Sequence, residues 1–246
     1  MVTAVSGILA LVAGRGPGTA WVVLAVLASQ LFVGWSNDYL DRERDRDAHR
    51  TDKPVAKGEI ASRTVGVAAI AALIAAVPLS LASGVPATAV HLVGIGSATA
   101  YNLGLKSTIF SAVPYALSFS LVPAFITLGL APSHWPPLWV IAAAALIGVG
   151  GHFAQARPDV ERDRPQGVLG LPQVVGANVS GILAAALLAA GAVVIAAATR
   201  NALPLIALLP AAGVAITNPR TAFWLTLLTA GVATVAFIVV ASGALR

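Results

Sequence analysis

The 246-residue chain has no cysteine, one methionine and charge on only a tenth of its residues. Without cysteine, a disulfide framework and a thiolate metal centre are both excluded. The shortage of charge excludes more. A soluble domain carries about 25% charged residues, because a chain folded in water must cover itself with polar side chains. Here 58% of residues are hydrophobic and the mean hydropathy is +0.86. A soluble enzyme and a disordered tail are ruled out together. The net charge of +5 resembles a nucleic-acid footprint until the charges are located. All ten acids fall in windows 38–59 and 159–163, and most of the bases sit beside them. This is the pattern of a polytopic membrane protein with two charged islands.

A transmembrane helix needs roughly 20 apolar residues to cross about 30 Å of hydrocarbon. Apolar runs between Gly, Pro and charge punctuation predict eight spans, at 19–40, 63–83, 86–103, 108–131, 136–157, 173–199, 202–218 and 220–243. A further apolar piece, 2–14, is too short to span and lacks the basic flank of a signal peptide. It reads as the second half of a truncated first helix, with an expected roughly 10–20 residues upstream by the same length rule. The expectation is a single all-α membrane domain over 1–246. Counting the fragment as span one, twelve of the fifteen Lys and Arg fall on one side. The positive-inside rule then puts both charged islands in the cytoplasm and the C-terminus outside the cell membrane. Trp21, Trp35, Trp135, Trp139 and Trp224 all fall near span ends, as amphipathic rings prefer.

The first island reads Asn37-Asp38-Tyr39-Leu40-Asp41-Arg42-Glu43-Arg44-Asp45. On a helix Asp38, Asp41 and Asp45 share one face, and Asn37, Asp41 and Asp45 form an adjacent row at i, i+4, i+8. Stacked carboxylates repel unless a cation sits among them, and a few hard oxygen ligands describe a Mg²⁺ site completed by substrate phosphate. The competing reading is a solvated charged cap neutralised by arginines 42, 44 and 46. The second island repeats the pattern: Asp159 and Asp163 are again i, i+4, with Gln155 a turn earlier and Pro158 starting a new short helix. Two acidic clusters on one side of the membrane suit a diphosphate clamped between paired Mg²⁺ ions. Arg50, Lys53, Lys57, Lys106, Arg162 and Arg164 supply a basic complement, although Lys106 also satisfies the positive-inside rule alone.

Together these residues resemble the UbiA superfamily of intramembrane prenyltransferases. Asn37, Asp38, Asp41 and Asp45 match its N-D-x-x-D-x-x-x-D signature, and Asp159 and Asp163 its D-x-x-x-D signature, followed by Gly170-Leu171-Pro172. Residues 50–58 resemble its R-x-D-R-P-L-x-x-G run, with Lys53 in place of Arg. Tyr101 and Lys106 resemble its Y-x-x-x-K motif with one extra residue between them.

The resemblance implies a nine-helix bundle, its first helix truncated, with two cytoplasmic Asp-rich loops capping a cavity. Asp38, Asp41, Asp45, Asp159 and Asp163 would be the catalytic metal ligands. Asn37, Arg50, Lys53, Tyr101, Lys106 and Arg164 would bind the diphosphate. The activity implied is Mg²⁺-dependent ionisation of an isoprenyl diphosphate and transfer of the prenyl group to an aromatic or quinone acceptor. Another lipid or sugar acceptor, or terpene cyclisation without one, shares the same machinery. A cyclase would use aromatic faces such as Tyr115, Phe119, Phe125 and Phe153. Gly94, Gly96, Gly148, Gly150 and Gly151 would open a groove for the tail, or simply allow close helix contacts. Loop 42–62, turned by Pro54 and Gly58, would close over the site. A cation transporter is a remote alternative, since no span carries an ionisable residue deeper than His91, placed near the outer end of its span.

Overall fold

A computed structural model describes residues 1–48, 50 and 52–245. Thr51 of the basic run and Arg246 of the charge count therefore lie outside the described residues. The fold is all-helical, with no strand among the described residues. In chain order the helices are α1 (Val2–Val12), α2 (Gly18–Leu40), α3 (Arg42–Asp47), α4 (Ser62–Leu81), α5 (Val85–Leu103) and α6 (Val113–Thr127). They continue with α7 (Leu138–Ala156), α8 (Val160–Asp163), α9 (Leu171–Val175), α10 (Ala177–Thr199), α11 (Leu208–Ile216) and α12 (Pro219–Ala241).

Among the described residues, five helices are long and apolar enough to cross a membrane: Gly18–Leu40, Ser62–Leu81, Leu138–Gln166, Ala177–Thr199 and Pro219–Ala241. The other expected spans are shorter or more polar, each for a visible reason. The run 108–131 is helical only over Val113–Thr127, because Thr108 and Ser111 sit in the turns that precede it. The run 202–218 begins as a 3₁₀ turn at Leu203–Ala207 opened by Pro204, which leaves nine residues of α-helix. Helix α5 is 19 residues long but carries Thr88, His91, Ser97, Thr99, Tyr101 and Asn102. The run 173–199 is split at Gly176, whose φ of +89° only glycine adopts cheaply.

The helices pair α2 with α4, α5 with α6, α6 with α7, α7 with α10, and α10 with α11. The largest apolar core joins α1, α2, α5, α6, α7, α10 and α12 around Phe125, Ile126, Val22 and Leu245. Small residues set the closest approaches. A Cβ at Gly148 would lie 2.6 Å from Cβ of Phe119, and one at Gly150 would lie 2.9 Å from Leu188. Those two glycines are contact glycines, whereas Gly96 and Gly151 face open space and Gly94 only grazes Ser118. Apolar side chains remain exposed along the outside, including Leu24, Leu27, Val67, Ile70, Ile74, Ile182 and Val193. In water such a surface would aggregate; in lipid it is the appropriate solvent face.

Candidate active site

The charged residues gather at one end of the bundle, where α2, α5 and α7 finish and α4, α6 and α10 begin. The backbone continues helically from α2 into α3. The Asp41 amide donates to the carbonyl of Asn37 and the Asp45 amide to that of Asp41, 2.9 and 2.8 Å away. The i, i+4, i+8 row of Asn37, Asp41 and Asp45 is therefore realised. Asp41 and Asp45 are buried, at 7% and 5% exposure, which a carboxylate tolerates only with partners. Asp41 accepts from Lys106 Nζ at 2.5 Å and from Arg44 Nη2 at 2.7 Å. Asp38 pairs with Lys53. Burial, and then the neighbouring Asp41 charge, raise the Asp45 carboxyl above its usual range, against the pull of Arg44, Lys53 and Arg50.

Lys106 reaches the row by a device that explains its extra spacing from Tyr101. Helix α5 ends at Leu103, Gly104 takes φ +152°, and a 3₁₀ turn over Leu105–Ser107 follows. The turn carries Lys106 Nζ to Asp41 and to within 3.3 Å of Asn37 Oδ1. Burial pushes the Lys106 ammonium pKa down, and Asp41 is the main opposing influence.

The second island starts a short helix after Pro158, as expected. Asp159 is the N-cap residue of α8 and pairs with Arg162 at 2.5 Å. Asp163 accepts from Gln173 Nε2 at 3.0 Å, and Gln173 is itself 4% exposed. The two islands face each other. Asp163 interacts electrostatically with Arg44 of the first island, and Arg50 with both Asp45 and Asp159. Tyr101 lies within electrostatic reach of Asp41 and Asp163 at once. Arg50 also grips Asp52 through two hydrogen bonds of 2.8 and 2.5 Å, which holds that carboxyl well below the usual range.

Arg164 is placed differently. Its Nε and Nη2 donate to the carbonyls of Gln173 and Val174, so in this conformation it fastens α9 rather than facing the space between the islands. The turn at Pro54 and Gly58 is present: the Glu59 amide donates to Pro54, and Gly58 has φ +76°.

An aromatic wall adjoins the carboxylates. Tyr101 and Tyr115 meet edge to face at 5.3 Å, His152 stacks on Tyr115 at 4.5 Å, and Phe119 follows at 6.3 Å. Tyr115 donates to Gln155 Oε1 at 3.1 Å. Ser111 Oγ accepts from the Leu171 amide and lies 3.1 Å from His152 Nε2, tying the wall to the loop after the second island. Of the rings expected beside these, Phe153 packs against His152 at 5.8 Å from within an apolar core, whereas Phe125 is buried away from the wall in the largest core. Gln173, Ser111 and His152 were not singled out in the sequence and are brought in by tertiary contact alone; Arg44, expected to neutralise the first island, does pair with Asp41.

Among the described residues, no three Asp, Glu, His or Cys side chains already converge on one metal position. The donor set nonetheless fits a hard divalent cation. Asp41 holds the Lys106 ammonium and the Arg44 guanidinium where a cation would sit, Arg44 stands 4.0 Å from Asp45, and the Asn37 oxygen shares the same Lys.

The sequence model described as the UbiA prenyltransferase family matches residues 1–240. A search of curated proteins finds no significant match. Among solved structures, digeranylgeranylglyceryl phosphate synthase superposes with TM-score 0.69 at 18% identity, over 99% of this chain and 94% of that one. A UbiA homologue from Archaeoglobus fulgidus bound to GPP and Mg²⁺ gives 0.59 at 15% identity, over 96% and 88%. The same homologue bound to Cd²⁺ gives 0.62 at 17%, over 98% and 87%.

Proposed function

The chain belongs to the UbiA prenyltransferase family, a multi-pass intramembrane prenyltransferase, and from that premise we propose how its own residues carry the reaction. Asp38, Asp41, Asp45, Asp159 and Asp163 would hold Mg²⁺. When bound, the metal neutralises the diphosphate and makes it a better leaving group. Lys106, Lys53 and Arg50 transfer from their carboxylate partners to phosphate oxygens. Asn37 and Tyr101 complete the polar wall, and Arg164 would have to leave the Gln173 and Val174 carbonyls to reach a phosphate oxygen. The diphosphate leaves with the bonding pair of the allylic C–O bond, stabilised by these fixed charges. The faces of Tyr101 and Tyr115 border the developing cation. The acceptor, a lipophilic aromatic or quinone precursor, forms the new bond to the allylic carbon and loses its proton to solvent. Loop 42–62 closes over the site and keeps water from the cation. The charged end faces the cytoplasm and the C-terminus lies outside.

The observation that carries this reading is the facing of the two islands, with Arg44 and Arg50 of one interacting with Asp163 and Asp159 of the other. The homologue bound to GPP and Mg²⁺ supports the choice of substrate and metal. A second reading, cyclisation without an acceptor, draws on the ring cluster of Tyr101, Tyr115, Phe119 and His152. Diphosphate release from geranyl, farnesyl and geranylgeranyl diphosphates, measured with and without an aromatic acceptor, separates the two. Acceptor-dependent release giving a prenylated arene supports transfer. Release giving only a cyclic hydrocarbon supports the cyclase, and no release from any of the three overturns both.

A further inference from the structure

The arginines around the charged end differ in how much of each guanidinium is already in use. Arg50 commits Nε and Nη2 to Asp52, and Arg164 commits the same two nitrogens to the carbonyls of Gln173 and Val174. Arg42 donates to the Tyr39 carbonyl and to Glu43. Arg157 is buried against the Val214 carbonyl. Arg44 is held differently. Its Nη2 donates to Asp41 Oδ2 at 2.7 Å and stands 4.0 Å from Asp45. Its Nε and Nη1 have no hydrogen bond among the described residues, and neither nitrogen is buried.

A guanidinium has two edges that each present a pair of parallel N–H donors. One bond through Nη2 occupies one edge and leaves the other open. The neighbours of Arg44 say where that open edge stands. Asp41 is held from both sides, by Lys106 on Oδ1 and by Arg44 on Oδ2. Lys106 feels the Arg44 charge, and so does Asp163 of the second island. Carboxylates of both islands and the Lys106 ammonium therefore flank one guanidinium. Lys106 must leave Asp41 before it can touch a phosphate, and Arg50 must leave Asp52. Arg44 has donors ready beforehand.

Arg44 falls on an open position of the N-D-x-x-D-x-x-x-D signature, so the resemblance assigns it no role. We propose that Arg44 is a further catalytic residue, whose free edge binds the diphosphate between the islands while the other edge is anchored on Asp41. As the allylic C–O bond breaks, both electrons pass to the diphosphate oxygen, and the guanidinium stabilises the added charge. No proton moves in that step, because an arginine side chain stays charged. The competing role is a counter-charge that only neutralises Asp41 and Asp45. The two roles differ in sign. A pure counter-charge competes with the metal, so its removal tightens Mg²⁺ and spares the diphosphate. Removal of a phosphate ligand weakens the diphosphate even at saturating metal. The inference rests on the prenyl-transfer reading and adds a residue to it.

The test uses the full chain in nanodiscs, with Arg44→Gln and Arg44→Lys. Calorimetry follows binding of geranyl S-thiolodiphosphate, an unreactive analogue, and of inorganic pyrophosphate at saturating Mg²⁺. With Arg44→Gln both bind at least about tenfold more weakly, as expected for a lost charge-assisted hydrogen bond. Diphosphate release at saturating substrate falls about 10²-fold in the same variant. Arg44→Lys brings the affinities back to within about threefold of wild type but leaves kcat low, because an ammonium supplies the charge without the fork. Pyrophosphate affinity that is unchanged or tighter in Arg44→Gln overturns the proposal in favour of the counter-charge. Full recovery of kcat by Arg44→Lys overturns it as well, and that variant carries the test alone if Arg44→Gln does not fold. The binding measurements need no turnover, so a wild type that releases no diphosphate from any prenyl substrate overturns the prenyl-transfer reading separately.

Discussion

Asp41→Asn removes one charge from the most enclosed ion pair among the described residues, with side-chain exposures of 8% for Asp41 and 11% for Lys106. The amide keeps the shape and leaves Lys106 facing a neutral oxygen. Breaking a buried pair by deleting one partner costs about 3–5 kcal/mol. Lys106 retains Asn37 and the Asp45 charge nearby, so the expected cost in the metal-free protein is about 2–3 kcal/mol. At this chain length that corresponds to a fall in Tm of roughly 5–10 °C. The pH dependence has a definite sign. Burial depresses the Lys106 pKa in the folded state, and a depressed lysine gains stability as pH rises through that value towards the unfolded one. Without Asp41 the depression deepens, so the deficit of Asp41→Asn shrinks as pH rises towards the ordinary lysine pKa of about 10.4. Lys106→Met in the Asp41→Asn background removes the stranded charge and recovers most of the loss, while diphosphate release stays abolished. The measurement is thermal unfolding of the four proteins of the cycle at two pH values. Additivity within about 0.5 kcal/mol, or a deficit that ignores pH, refutes the reasoning.

Excess EDTA is expected to stop diphosphate release, and Asp163→Ala to lower it at least about 10²-fold while the far-ultraviolet spectrum stays helical; full turnover in chelator sinks the metal assignment. Gly148→Val puts its side chain into Phe119, displacing the lower part of the aromatic wall at a cost of about 1–3 kcal/mol; an unchanged Tm and unchanged turnover count against that contact. Trypsin cleavage after exposed Arg46 should slow when Mg²⁺ and a non-hydrolysable prenyl diphosphate analogue are both present, and equal rates demote loop 42–62 from lid to tether.

The acidic rows were legible because helical periodicity is a local property: Asn37, Asp41 and Asp45 share a face whatever the rest of the chain does. Helix starts were legible for the same reason, as at Gly84-Val85-Pro86 and after Pro158. What the sequence hid was set by long-range contact. Val113–Thr127 is as apolar at its flanks as in its middle, and nothing local says that Ser111 leaves the helix to bind the Leu171 amide. Gln173 meeting Asp163, and His152 meeting Tyr115, depend on how α7, α9 and α6 pack. Arg157 reads as one more positive-inside charge, yet it is 9% exposed, and its Nη1 donates to the Val214 carbonyl in the last turn of α11.

The arrangement at the charged end also explains why so many bases accompany the acids. Asp41 and Asp45 sit where water is scarce, and carboxylates left there alone would protonate or unfold the site. Lys106, Arg44 and Lys53 prevent this in the absence of ligand, each on a side chain long enough to move by several ångströms. A metal diphosphate brings its own cations for the carboxylates and its own anion for the bases. Each ion pair of the empty site can therefore be exchanged for two new ones without any charge being stranded. A site of this design must bind metal and diphosphate together: either one alone breaks a Lys–Asp pair and leaves one partner uncompensated. Titration of Mg²⁺ with and without the diphosphate should show that mutual dependence as an apparent affinity at least about fivefold tighter when the other is present. Independent affinities would mean that the bases are fixed walls, and that the carboxylates are held apart from them by the fold.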